Sequence, residues 1–537
     1  MVVTGGVLSG LGKGVTAASL GFLFSEDHRI VPIKLDGYLN TDPGTMNPVE
    51  HGEVFVLDDG FEVDMDFGHY ERFLGVSCGR NQSMTMGKVY QEIQNRERNG
   101  DYLGKTVQMI PHVTDLIQEK ILSIGEETGA DIVLIEVGGT VGDLENDLYL
   151  EALRQLKTKV YDEDIVFIHL TYVPVPFGVK EQKTKPTQQS VSLLHQRGIW
   201  PEMIIGRCGD YLSETSIRKI ALFSDIPEEA VFSAPDVDNI YRLPEIFAQQ
   251  DVKEQLSQQL GLPLPSTGKL ELWDQLLDTR EQQSLTITIA GKYTDLEDSY
   301  ASVVEALRHC AFNLGCELSI EWIETSGTID WELIKRSDGV IVPGGFGTRG
   351  VEGKIAIIAY VREQGIPFLG ICYGLQLAVV EFARHVCGIK DAMTMEVEPH
   401  CSSPVITLLD EQEQVVTKGG TMRLGAYQSV LHDGIIHSYY QQLHSWQDSQ
   451  QKIVSERHRH RFEVNPDYVE RLTKQGLHIA GYSVERQLVE FIELPQETHP
   501  YFVATQAHPE LKSRLERPAP LFFGLVEAAS NHASSRK

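Results

Sequence analysis

The chain is short of cysteine, of long apolar runs and of basic residues, and each shortage argues against a class of protein. Its seven cysteines show no CxxC spacing, which argues against a zinc site or a disulfide framework and favours a reducing compartment. No segment approaches roughly 18 uncharged apolar residues, so we expect no membrane span. No basic region followed by an apolar one opens the sequence, so we expect no secretory signal and predict a cytoplasmic protein.

The shortage of basic side chains gives the chain a strongly negative field. Lysine and arginine together number 47 against 76 aspartates and glutamates, which gives a formal net charge of -29. Such a field repels a nucleic-acid backbone, so the composition argues against a nucleic-acid partner. Any phosphate that the chain binds must therefore be held by locally placed lysine, arginine and backbone N–H groups.

The pattern of apolar runs divides the 537 residues into two series, and the length is too great for one hydrophobic core. The runs are short and continuously apolar, which is typical of parallel strands buried on both faces with crossover helices between them. We predict two α/β doubly wound domains, 1–265 and 285–537. The segment from residue 262 to 283 starts with Pro, Ser and Gly and continues with a short amphipathic stretch, which indicates a linker, and we place that linker at 266–284.

A candidate nucleophile lies in the second series, where Cys372 stands between Gly370 and Gly374. Glycines two residues on either side permit the sharp strand-to-helix turn that exposes a nucleophilic side chain. The N-terminus of the following helix lowers the pKa of a thiol and offers N–H groups to an oxyanion. An isolated cysteine is more often a buried structural residue. This frame after an apolar run favours a nucleophile instead.

A base and an oxyanion hole are the other parts that a cysteine nucleophile needs. His508 follows the apolar run YFVATQA, and Glu510 two residues later can orient its imidazole, as in a Cys/His/acid triad. Gly344 and Gly345 follow the run DGVIV, where paired glycines let backbone N–H groups approach an oxyanion. Either motif alone is weak, and paired glycines alone indicate a plain turn. Combined with the cysteine motif they predict thiol catalysis.

These motifs, in this order, resemble class I glutamine amidotransferases, which hydrolyse the glutamine side-chain amide through a thioester. The resemblance covers about residues 285–530. It implies an oxyanion-hole glycine, a carboxylate for the substrate ammonium and an arginine for its carboxylate. The implied glutamine-binding residues are Gly345, Tyr373, Gly374, Leu375, Gln376, Glu396 and Arg461. The chain departs from the family pattern at Tyr373 and Leu375, where Leu and Met are usual, and at Ala507, where an aromatic is usual.

A glycine-rich turn after the first apolar run is the phosphate-binding candidate of the first series. Gly10, Gly12 and Gly14 surround Lys13, and glycine-rich backbone at a helix N-terminus cradles phosphates. The spacing is not that of a strict P-loop, and Gly14 stands where a Ser or Thr would bind magnesium. A generic glycine-rich turn remains an alternative. Magnesium ligands are therefore expected elsewhere.

Carboxylates beside apolar runs are the candidates for that metal. Glu136 ends the run ADIVLIE, and Asp64 and Asp66 lie in the segment EVDMDFG. Mg²⁺ commonly takes one or two carboxylates together with phosphate oxygens and water. Most acidic residues of so acidic a chain are solvated surface, but a carboxylate after four apolar residues is less easily assigned to the surface.

Lysines in polar loops are further candidates for binding phosphate. Lys183 and Lys185 lie in the segment KTKPTQ, which follows an apolar run, and Lys219 lies in the helical segment IRKIALF. Lys34 begins another polar loop, KLDGYLN. Lysines that extend from a helix end to solvent would give the same spacing. The pattern alone leaves both interpretations open.

A series of longer segments, in order and over nearly the whole chain, resembles the CTP synthase family. These segments are GGVLSGLGKG, KLDGYLNTDPGTM, HGEVFV, DFGHYERF, EVGGTVGD, KTKPTQ, GGTMRLGA and ERHRHRFEVN. In that family an ATP-using amidoligase domain of dethiobiotin-synthetase-like fold is fused to a glutaminase domain. The resemblance implies that ATP phosphorylates the uracil 4-oxygen of UTP, and that ammonia from glutamine then displaces the phosphate to give CTP.

The resemblance assigns roles to residues of the first series. Lys13 and Lys34 would stabilise phosphoryl transfer, and Asp66 and Glu136 would hold Mg²⁺. The implied ATP-binding residues are Gly10, Leu11, Gly12, Lys13, Gly14, Val15, Asp66 and Asp236. The implied UTP- and CTP-binding residues are Ser9, Asp143, Leu144, Glu145, Lys183, Thr184, Lys185, Pro186, Thr187, Gln188 and Lys219.

The resemblance also implies regulation and assembly. GTP would activate glutamine hydrolysis, CTP would inhibit the enzyme, and nucleotides would promote a homotetramer. Phe346, Arg349, Gly350 and residues 421–425 would form a lid that responds to GTP. 

Two other functions are consistent with parts of the pattern. A different glutamine-dependent ligase, acting on a purine or a cobyrinic-type acid, could use the same ammonia supply, but KTKPTQ and ERHRHRFEVN argue against it. A nucleotide-dependent switch or filament protein would be expected to carry an inactive glutaminase. The presence of Cys372, His508 and Glu510 argues against that alternative.

Overall fold

The computed structural model describes residues 1–44, 46, 52–160, 164–279, 283–291, 297–408 and 422–536. The chain divides into two compact units. The first comprises Met1–Thr45 and Asp66–Leu277, and the second comprises Met46–Met65 and Asp278–Lys537. Each unit has its own sheet and its own core, as the two series of apolar runs predict.

The strands alternate with helices along most of the chain. In chain order the strands are β1 (Val2–Gly5), β2 (Ile30–Asp36), β3 (Phe55–Val56), β4 (Glu62–Val63), β5 (Ser83–Thr85), β6 (Ile132–Val137), β7 (Phe167–Tyr172), β8 (Met203–Cys208), β9 (Val231–Pro235), β10 (Gln283–Gly291), β11 (Cys316–Glu324), β12 (Gly339–Val342), β13 (Phe368–Ile371), β14 (Ala392–Thr394), β15 (Ser403–Leu408), β16 (Arg423–Leu431), β17 (Ile453–His460), β18 (Phe462–Val464), β19 (His478–Ser483), β20 (Val489–Glu493) and β21 (Phe502–Thr505). The α-helices are α1 (Lys13–Phe22), α2 (Asp66–Leu74), α3 (Met86–Asn99), α4 (Thr114–Thr128), α5 (Asp147–Lys159), α6 (Lys185–Gln196), α7 (Glu214–Ser224), α8 (Leu243–Ala248), α9 (Val252–Gln259), α10 (Gly268–Leu277), α11 (Ala301–Leu314), α12 (Trp331–Arg336), α13 (Val351–Gln364), α14 (Tyr373–His385), α15 (Ile435–Gln442), α16 (Pro466–Lys474) and α17 (Pro520–Arg536). No helix among the described residues is long and apolar enough to cross a membrane.

The sheet of the first unit is parallel. Within the described residues its strand order is β5-β2-β6-β1-β7-β8-β9, and every neighbouring pair is parallel. Strand β2 is buried along its whole length, as expected for a continuously apolar run covered on both faces. The register pairs Lys34 with Glu136, so these two charged side chains lie side by side on one face of the sheet.

The predicted linker contains a helix that belongs to the first unit. Helix α10 occupies Gly268–Leu277, and its Trp273 is fully buried. The Trp273 ring lies 4.1 Å from that of Phe22 and 5.3 Å from that of Phe73, measured between centroids. The amphipathic stretch of the predicted linker is therefore core of the first unit, and the unit boundary falls after Leu277.

The sheet of the second unit is mixed. Among the described residues the order is β11-β10-β12-β13-β21-β20-β19-β16-β17, parallel as far as β21 and antiparallel beyond it. Successive side chains of β12 enter different cores, Val340 and Val342 on one face and Ile341 on the other. Helices α13 and α14 cover the first face, and α11 and α17 cover the second. The arrangement is the doubly wound α/β fold that the sequence predicts.

A hairpin from the first part of the sequence completes the second unit, which the sequence did not predict. Strands β3 and β4 pair with each other, and residues 46–65 belong to the second unit. We call residues 53–63 the acidic hairpin. The N–H of Ala426 donates to the carbonyl of Asp58 at 2.9 Å, and the N–H of Ser302 donates to the carboxylate of Glu53 at 3.0 Å. The motif residue His51 lies outside the described residues.

Candidate active sites

Cys372 occupies a strained turn between β13 and α14. Its φ of 51° and ψ of -98° lie in a region that L-residues rarely adopt, as in a nucleophile elbow. A Cβ on Gly374 would lie 2.1 Å from the carbonyl oxygen of Val342, and a Cβ on Gly370 would lie 2.9 Å from backbone of Gly374. Both glycines are therefore required by close packing around the turn, as their spacing in the sequence predicts.

His508 and Glu510 join Cys372 in one site. Nδ1 of His508 lies 2.6 Å from a carboxylate oxygen of Glu510, and the imidazole is hydrogen-bonded to the thiol of Cys372. Burial lowers the pKa of His508, but Glu510 and Cys372 outweigh burial and raise that pKa well above its ordinary value. The charged form of the imidazole is therefore favoured. The geometry is that of a thiol nucleophile with an oriented base.

The paired glycines after β12 lie against this imidazole. A Cβ on Gly344 would approach Cε1 of His508 to 2.7 Å, so only glycine fits there. A Cβ on Gly345 would lie 3.8 Å from Nζ of Lys354, a lysine that is 2 % exposed. We call residues 343–350 the oxyanion loop. The structure thus places the backbone of this loop beside the imidazole of His508.

Two residues of the predicted glutamine pocket hold the oxyanion loop from opposite sides. The hydroxyl of Tyr373 donates to the carbonyl of Gly347 at 2.8 Å, and the N–H of Gly347 donates to the carboxylate of Glu396 at 2.6 Å. Burial, and after it Glu396, raise the pKa of Tyr373 above its ordinary value, so the hydroxyl stays a donor. Lys354 lies 5.3 Å from the centroid of the Tyr373 ring.

Gln506 contacts the nucleophile, and sequence reasoning missed it. Its Nε2 lies 3.6 Å from Sγ of Cys372, and its Oε1 lies 3.3 Å from Nε2 of Gln376, which also donates to the carbonyl of Phe462 at 3.0 Å. Because Nε2 of Gln376 donates to the carbonyl of Phe462, this same amide nitrogen is also the donor to Oε1 of Gln506. With its oxygen facing Gln376, Gln506 presents its own N–H to the sulfur. Nothing in the sequence marked Gln506 except its position two residues before His508.

The remaining predicted pocket residues surround the same turn. Gly374, Leu375 and Gln376 form the first turn of α14, and Leu375 is fully buried. Among the described residues Oε1 of Gln376 has no hydrogen-bond partner. Arg461 lies between β17 and β18, and the backbone carbonyls of β17 contact the Sγ of Cys372 and the N–H of His508. These positions are consistent with a pocket beside the thiol.

Some residues of the predicted GTP lid are exposed at the surface and others are buried in the core. Arg349 is exposed and pairs with Glu324 at 3.0 Å. Arg423 is buried and pairs with Glu463 at 3.0 Å and with Glu490 at 2.8 Å. Burial raises the pKa of Glu463 to about 8, against the opposing effect of Arg423. Residue 421 lies outside the described residues, so the lid is only partly described.

In the first unit a cluster of buried charges lies where β2 and β6 end. Lys34 forms ion pairs with Asp66 and with Glu136, the latter at 3.6 Å. Lys13 donates to the carbonyl of Gly139 at 2.8 Å. Burial lowers the pKa of Lys13 and raises that of Glu136. Desolvation also raises the pKa of Asp66, but Lys34 outweighs it, so that this pKa lies below its ordinary value.

The glycine-rich turn brings its backbone to this cluster. Gly10 and Gly12 have φ of +75° and +85°, and a Cβ on either would meet no atom within 4 Å, so the turn is open on its outer side. A Cβ on Gly14 would lie 2.1 Å from a carboxylate oxygen of Asp66. Glycine at this position, where a P-loop has Ser or Thr, therefore lets Asp66 approach the start of α1. Leu11 is buried and Val15 is half-buried.

The same carboxylates fit a magnesium ion. Asp66 and Glu136 both reach Lys34 and so face one point, and carboxylate oxygen is the ligand type that Mg²⁺ prefers. Across the described residues no group of three or more His, Cys, Asp or Glu side chains could hold a metal by itself. A bound ion would therefore take its other ligands from phosphate oxygens and water.

Two of the predicted UTP-binding lysines come together. Lys183 lies 2.9 Å from the carboxylate of Glu181, and Lys219 lies 3.5 Å from its other oxygen. Lys185 and Pro186 begin α6, whose Thr187 hydroxyl lies 2.9 Å from that of Thr171, and Gln188 donates to the Thr184 hydroxyl at 3.1 Å. The KTKPTQ segment is thus a helix N-terminus with basic residues, a suitable anion site.

The other predicted nucleotide residues lie on exposed loops. Ser9 is exposed, and so are Asp143, Leu144 and Glu145, with Asp143 accepting from the N–H of Thr140 at 2.9 Å. Asp236 follows β9 and pairs with Arg207 at 2.6 Å. 

A further buried chain of polar groups, which the sequence did not predict, links strand β1, just before the glycine-rich turn, to α6. His169 lies 2.8 Å from the hydroxyl of Thr4 and 2.7 Å from that of Ser190. Burial, and then Lys13, lower the pKa of His169 to about 3, so the imidazole is neutral at physiological pH. A Cβ on Gly6 would overlap Ser190, which explains glycine at the start of the turn.

Comparison with known proteins decides the family. The family described as CTP synthase N-terminus matches residues 1–262, and that described as glutamine amidotransferase class-I matches residues 295–528. A CTP synthase of Archaeoglobus fulgidus is 48% identical over 535 residues, and one of Borreliella afzelii is 49% identical over 535 residues. Each alignment covers 98% of this chain and 98% of the relative. The chain belongs to the CTP synthase family.

The resemblance that the sequence segments indicated is thereby confirmed, and the chain is an enzyme of that family. The glutamine amidotransferase match spans the whole Cys372, His508 and Glu510 site. Among solved structures, the glutaminase domain of Trypanosoma brucei CTPS with bound acivicin is 34% identical, covering 46% of this chain and 94% of that chain with a TM-score of 0.41.

Proposed function

We propose that the enzyme converts UTP to CTP, with ATP as phosphoryl donor and with ammonia released from L-glutamine. The observation that carries the proposal is the complete triad of Cys372, His508 and Glu510 on a chain that aligns end to end with curated CTP synthases. The charged cluster of Lys13, Lys34 and carboxylates in the first unit supports the use of ATP.

Glutamine hydrolysis begins at Cys372. His508 takes the thiol proton, and the thiolate attacks the side-chain amide carbon of glutamine, whose oxygen then accepts from backbone N–H groups that include that of Gly345. His508 returns the proton to the departing ammonia, and water hydrolyses the thioester to glutamate. Glu396 binds the substrate ammonium and Arg461 binds its carboxylate. The raised pKa of His508 supports this sequence, because it favours the imidazolium beside a thiolate.

UTP activation takes place in the first unit. An amide oxygen is a poor leaving group, so the uracil 4-oxygen first receives the terminal phosphoryl group of ATP, leaving ADP. Lys13 and Lys34 stabilise the charge that develops on the transferred group. Ammonia then adds to carbon 4 and expels inorganic phosphate, which gives CTP. The burial of both lysines supports this role, because charge stabilisation is stronger away from water.

The open glycine-rich turn and the KTKPTQ segment support the proposed nucleotide binding. Backbone N–H groups at the start of α1 receive the ATP phosphates, and Lys183, Lys185 and Lys219 receive those of UTP. Asp66 and Glu136 would hold Mg²⁺, which when bound neutralises charge on the ATP phosphates. Glu181 now neutralises Lys183 and Lys219, so a UTP triphosphate would compete with it.

The proposal includes regulation, assembly and location. GTP activates glutamine hydrolysis through the lid residues Phe346 and Arg349, and CTP competes with UTP as an inhibitor. The enzyme assembles as a homotetramer, which is supported by Leu222 and Phe223 on α7, 78% and 58% exposed. We place the enzyme in the cytoplasm, which is supported by free thiols at all seven cysteines.

Isotope transfer tests the proposed chemistry. Purified enzyme receives ATP, Mg²⁺, UTP with heavy oxygen at position 4, and glutamine with heavy nitrogen in its side-chain amide. The heavy nitrogen is expected in the 4-amino group of CTP and the heavy oxygen in inorganic phosphate. Heavy oxygen in water instead of phosphate would contradict the phosphorylated intermediate, and the absence of CTP would contradict the proposed function.

A further inference from the structure

The acidic hairpin, residues 53–63, is bound to strand β17 by two ion pairs. A carboxylate oxygen of Asp58 lies 2.6 Å from Nε of Arg457, and one of Glu62 lies 2.6 Å from Nε of Arg459. The partners are separated by 399 and 397 residues along the chain. One residue separates the two arginines along the strand, so their side chains extend from the same face of β17.

The first of these ion pairs is deeply packed. Arg457 is fully buried, and its guanidinium lies 5.3 Å from the ring centroid of Phe55, another hairpin residue. Desolvation raises the pKa of Asp58, but Arg457 and Lys512 outweigh it, so this pKa lies below its ordinary value. Asp58 is therefore ionised at neutral pH and compensates a buried charge that would otherwise be costly.

The second ion pair reaches the oxyanion loop. The guanidinium of Arg459 lies 5.4 Å from the ring centroid of Phe346, which directly follows Gly345. A carboxylate oxygen of Glu62 lies 2.6 Å from Nε of the same guanidinium. The side chain of Arg459 is thus held between the acidic hairpin and the loop that carries the oxyanion-binding backbone.

The backbone of the same two arginines holds the catalytic residues. The N–H of His508 donates to the carbonyl of Arg457 at 2.7 Å, and Sγ of Cys372 lies 3.8 Å from the carbonyl of Arg459. Each arginine therefore contacts the hairpin through its side chain and the nucleophile or its base through its carbonyl. A displacement of β17 would change the distance between His508 and Cys372 directly.

We propose that Asp58 and Glu62 are positioning residues for glutamine hydrolysis, acting through Arg457 and Arg459 on His508, Cys372 and the oxyanion loop. The proposal rests on the proposed glutaminase function. Loss of the Asp58 carboxylate removes the negative charge that lies 2.6 Å from the buried Arg457 guanidinium, and β17 then moves to solvate that guanidinium. Thiol catalysis is sensitive to such a displacement, because small errors in the attack geometry cost large factors in rate.

The test uses the full-length enzyme with Asp58→Asn and Glu62→Gln, each measured for glutamine hydrolysis and for CTP formation from added ammonia. Asp59→Asn is the matched control, because Asp59 is the exposed neighbour of Asp58 and asparagine keeps the side-chain oxygen that accepts from the N–H of Phe61. We expect Asp58→Asn to lower kcat for glutamine hydrolysis roughly tenfold with KM changed less than about twofold. Glu62→Gln should lower it less, and Asp59→Asn should leave it unchanged.

A second measurement separates positioning from folding. The pH profile of Cys372 alkylation by iodoacetamide is expected to shift to higher pH in Asp58→Asn, since His508 is then held less well against the thiol. CTP formation from ammonia should stay at the level of the unmodified enzyme. An equal loss with glutamine and with ammonia, or equal rates for Asp58→Asn and Asp59→Asn, overturns the positioning role. Should Asp58→Asn fail to fold, Glu62→Gln decides by the same criteria.

The test of the hairpin proposal can fail while the proposed glutaminase function still holds, and the two failures can be distinguished. Cys372→Ala, measured in parallel, abolishes glutamine hydrolysis if the glutaminase proposal is right. Survival of glutamine hydrolysis in Cys372→Ala overturns the glutaminase proposal itself. Abolition in Cys372→Ala together with normal kinetics in both hairpin variants overturns the hairpin proposal alone.

Discussion

The hydroxyl of Tyr373 donates a hydrogen bond to the carbonyl of Gly347, 2.8 Å away, and so ties the residue after the nucleophile to the oxyanion loop. The same peptide segment is held from its other side, because the N–H of Gly347 donates to Glu396. A leucine, which is usual at this position in class I glutamine amidotransferases, could not make the first of these bonds. The departure at Tyr373 therefore adds a fixed point to the loop.

Removal of that hydroxyl tests its contribution. Tyr373→Phe keeps the ring beside Lys354 but leaves the Gly347 carbonyl without its donor. A neutral hydrogen bond contributes about 1 kcal/mol, so we expect kcat for glutamine hydrolysis to fall roughly fivefold, with ammonia-dependent CTP formation unchanged. Steady-state kinetics of both reactions measure this. Tyr468→Phe, on α16, is the control, and an equal effect of the two variants would contradict the account.

Gln506 is expected to stabilise the Cys372 thiolate. Gln506→Leu removes the N–H that lies 3.6 Å from Sγ, and the loss of one donor to an anion raises the pKa at which the thiol ionises. Iodoacetamide alkylation followed against pH should show a midpoint at higher pH than in the unmodified enzyme. Gln506→Glu places a carboxylate beside the thiolate and should shift the midpoint further. An unchanged profile in both variants would show that this contact does not act on the thiol.

The buried group around Arg423 predicts a pH-dependent stability. Burial raises the folded-state pKa of Glu463 to about 8, above its unfolded value of about 4.3, so folding takes up a proton between these pH values. The contribution of protonated Glu463 to the stability of the folded state is fully present below the unfolded-state pKa, and it is lost as the pH rises through the folded-state pKa. Glu463→Gln removes the titrating group and keeps an oxygen acceptor for Arg423.

Calorimetry of the second unit's unfolding transition measures this effect. The midpoint temperature of Glu463→Gln, relative to that of the unmodified enzyme, should rise between about pH 5 and about pH 8. Glu485→Gln, a change at an exposed glutamate, is the control and should not show this rise. A pH-independent difference for Glu463→Gln as well would contradict the raised pKa.

Glycine at position 14 is expected to be indispensable for CTP formation but not for glutamine hydrolysis. A Cβ there would lie 2.1 Å from Asp66, so Gly14→Ala must displace a proposed magnesium ligand. We expect CTP formation to fall at least tenfold with either nitrogen source, while the glutaminase keeps its rate. Gly10→Ala is the control for steric overlap, because a Cβ at this position meets no atom within 4 Å. The positive φ of Gly10 means that this control adds backbone strain but no overlap. Equal glutaminase loss in Gly14→Ala would contradict the assignment.

What the sequence could predict depended on how local each feature is. The turn around Cys372 and the His508–Glu510 pair are short motifs whose geometry is fixed within a few residues, and the structure brings them together as expected. The charged cluster of Lys34, Asp66 and Glu136 was foreseen only as separate candidates, because strand order and register decide which residues meet.

Features that depend on distant pairing were not predicted. The acidic hairpin meets β17 through residues 399 positions apart, and no local pattern in EVFVLDDGFEV indicates that partner. Trp273 lies in a stretch whose Pro, Ser and Gly indicate a linker, yet its ring is buried against three aromatic side chains. Gln506 carries an ordinary polar side chain, and its function follows only from its distance to Cys372.

The central claim is that two separate chemical sites, one in each unit, cooperate in one reaction. The most direct measurement compares CTP formation with glutamine and with ammonia in Cys372→Ala and Lys13→Ala. We predict that Cys372→Ala makes CTP from ammonia but not from glutamine, and that Lys13→Ala makes no CTP from either while it still hydrolyses glutamine. Loss of both nitrogen sources in Cys372→Ala, or CTP formation at the normal rate in Lys13→Ala, would contradict the account.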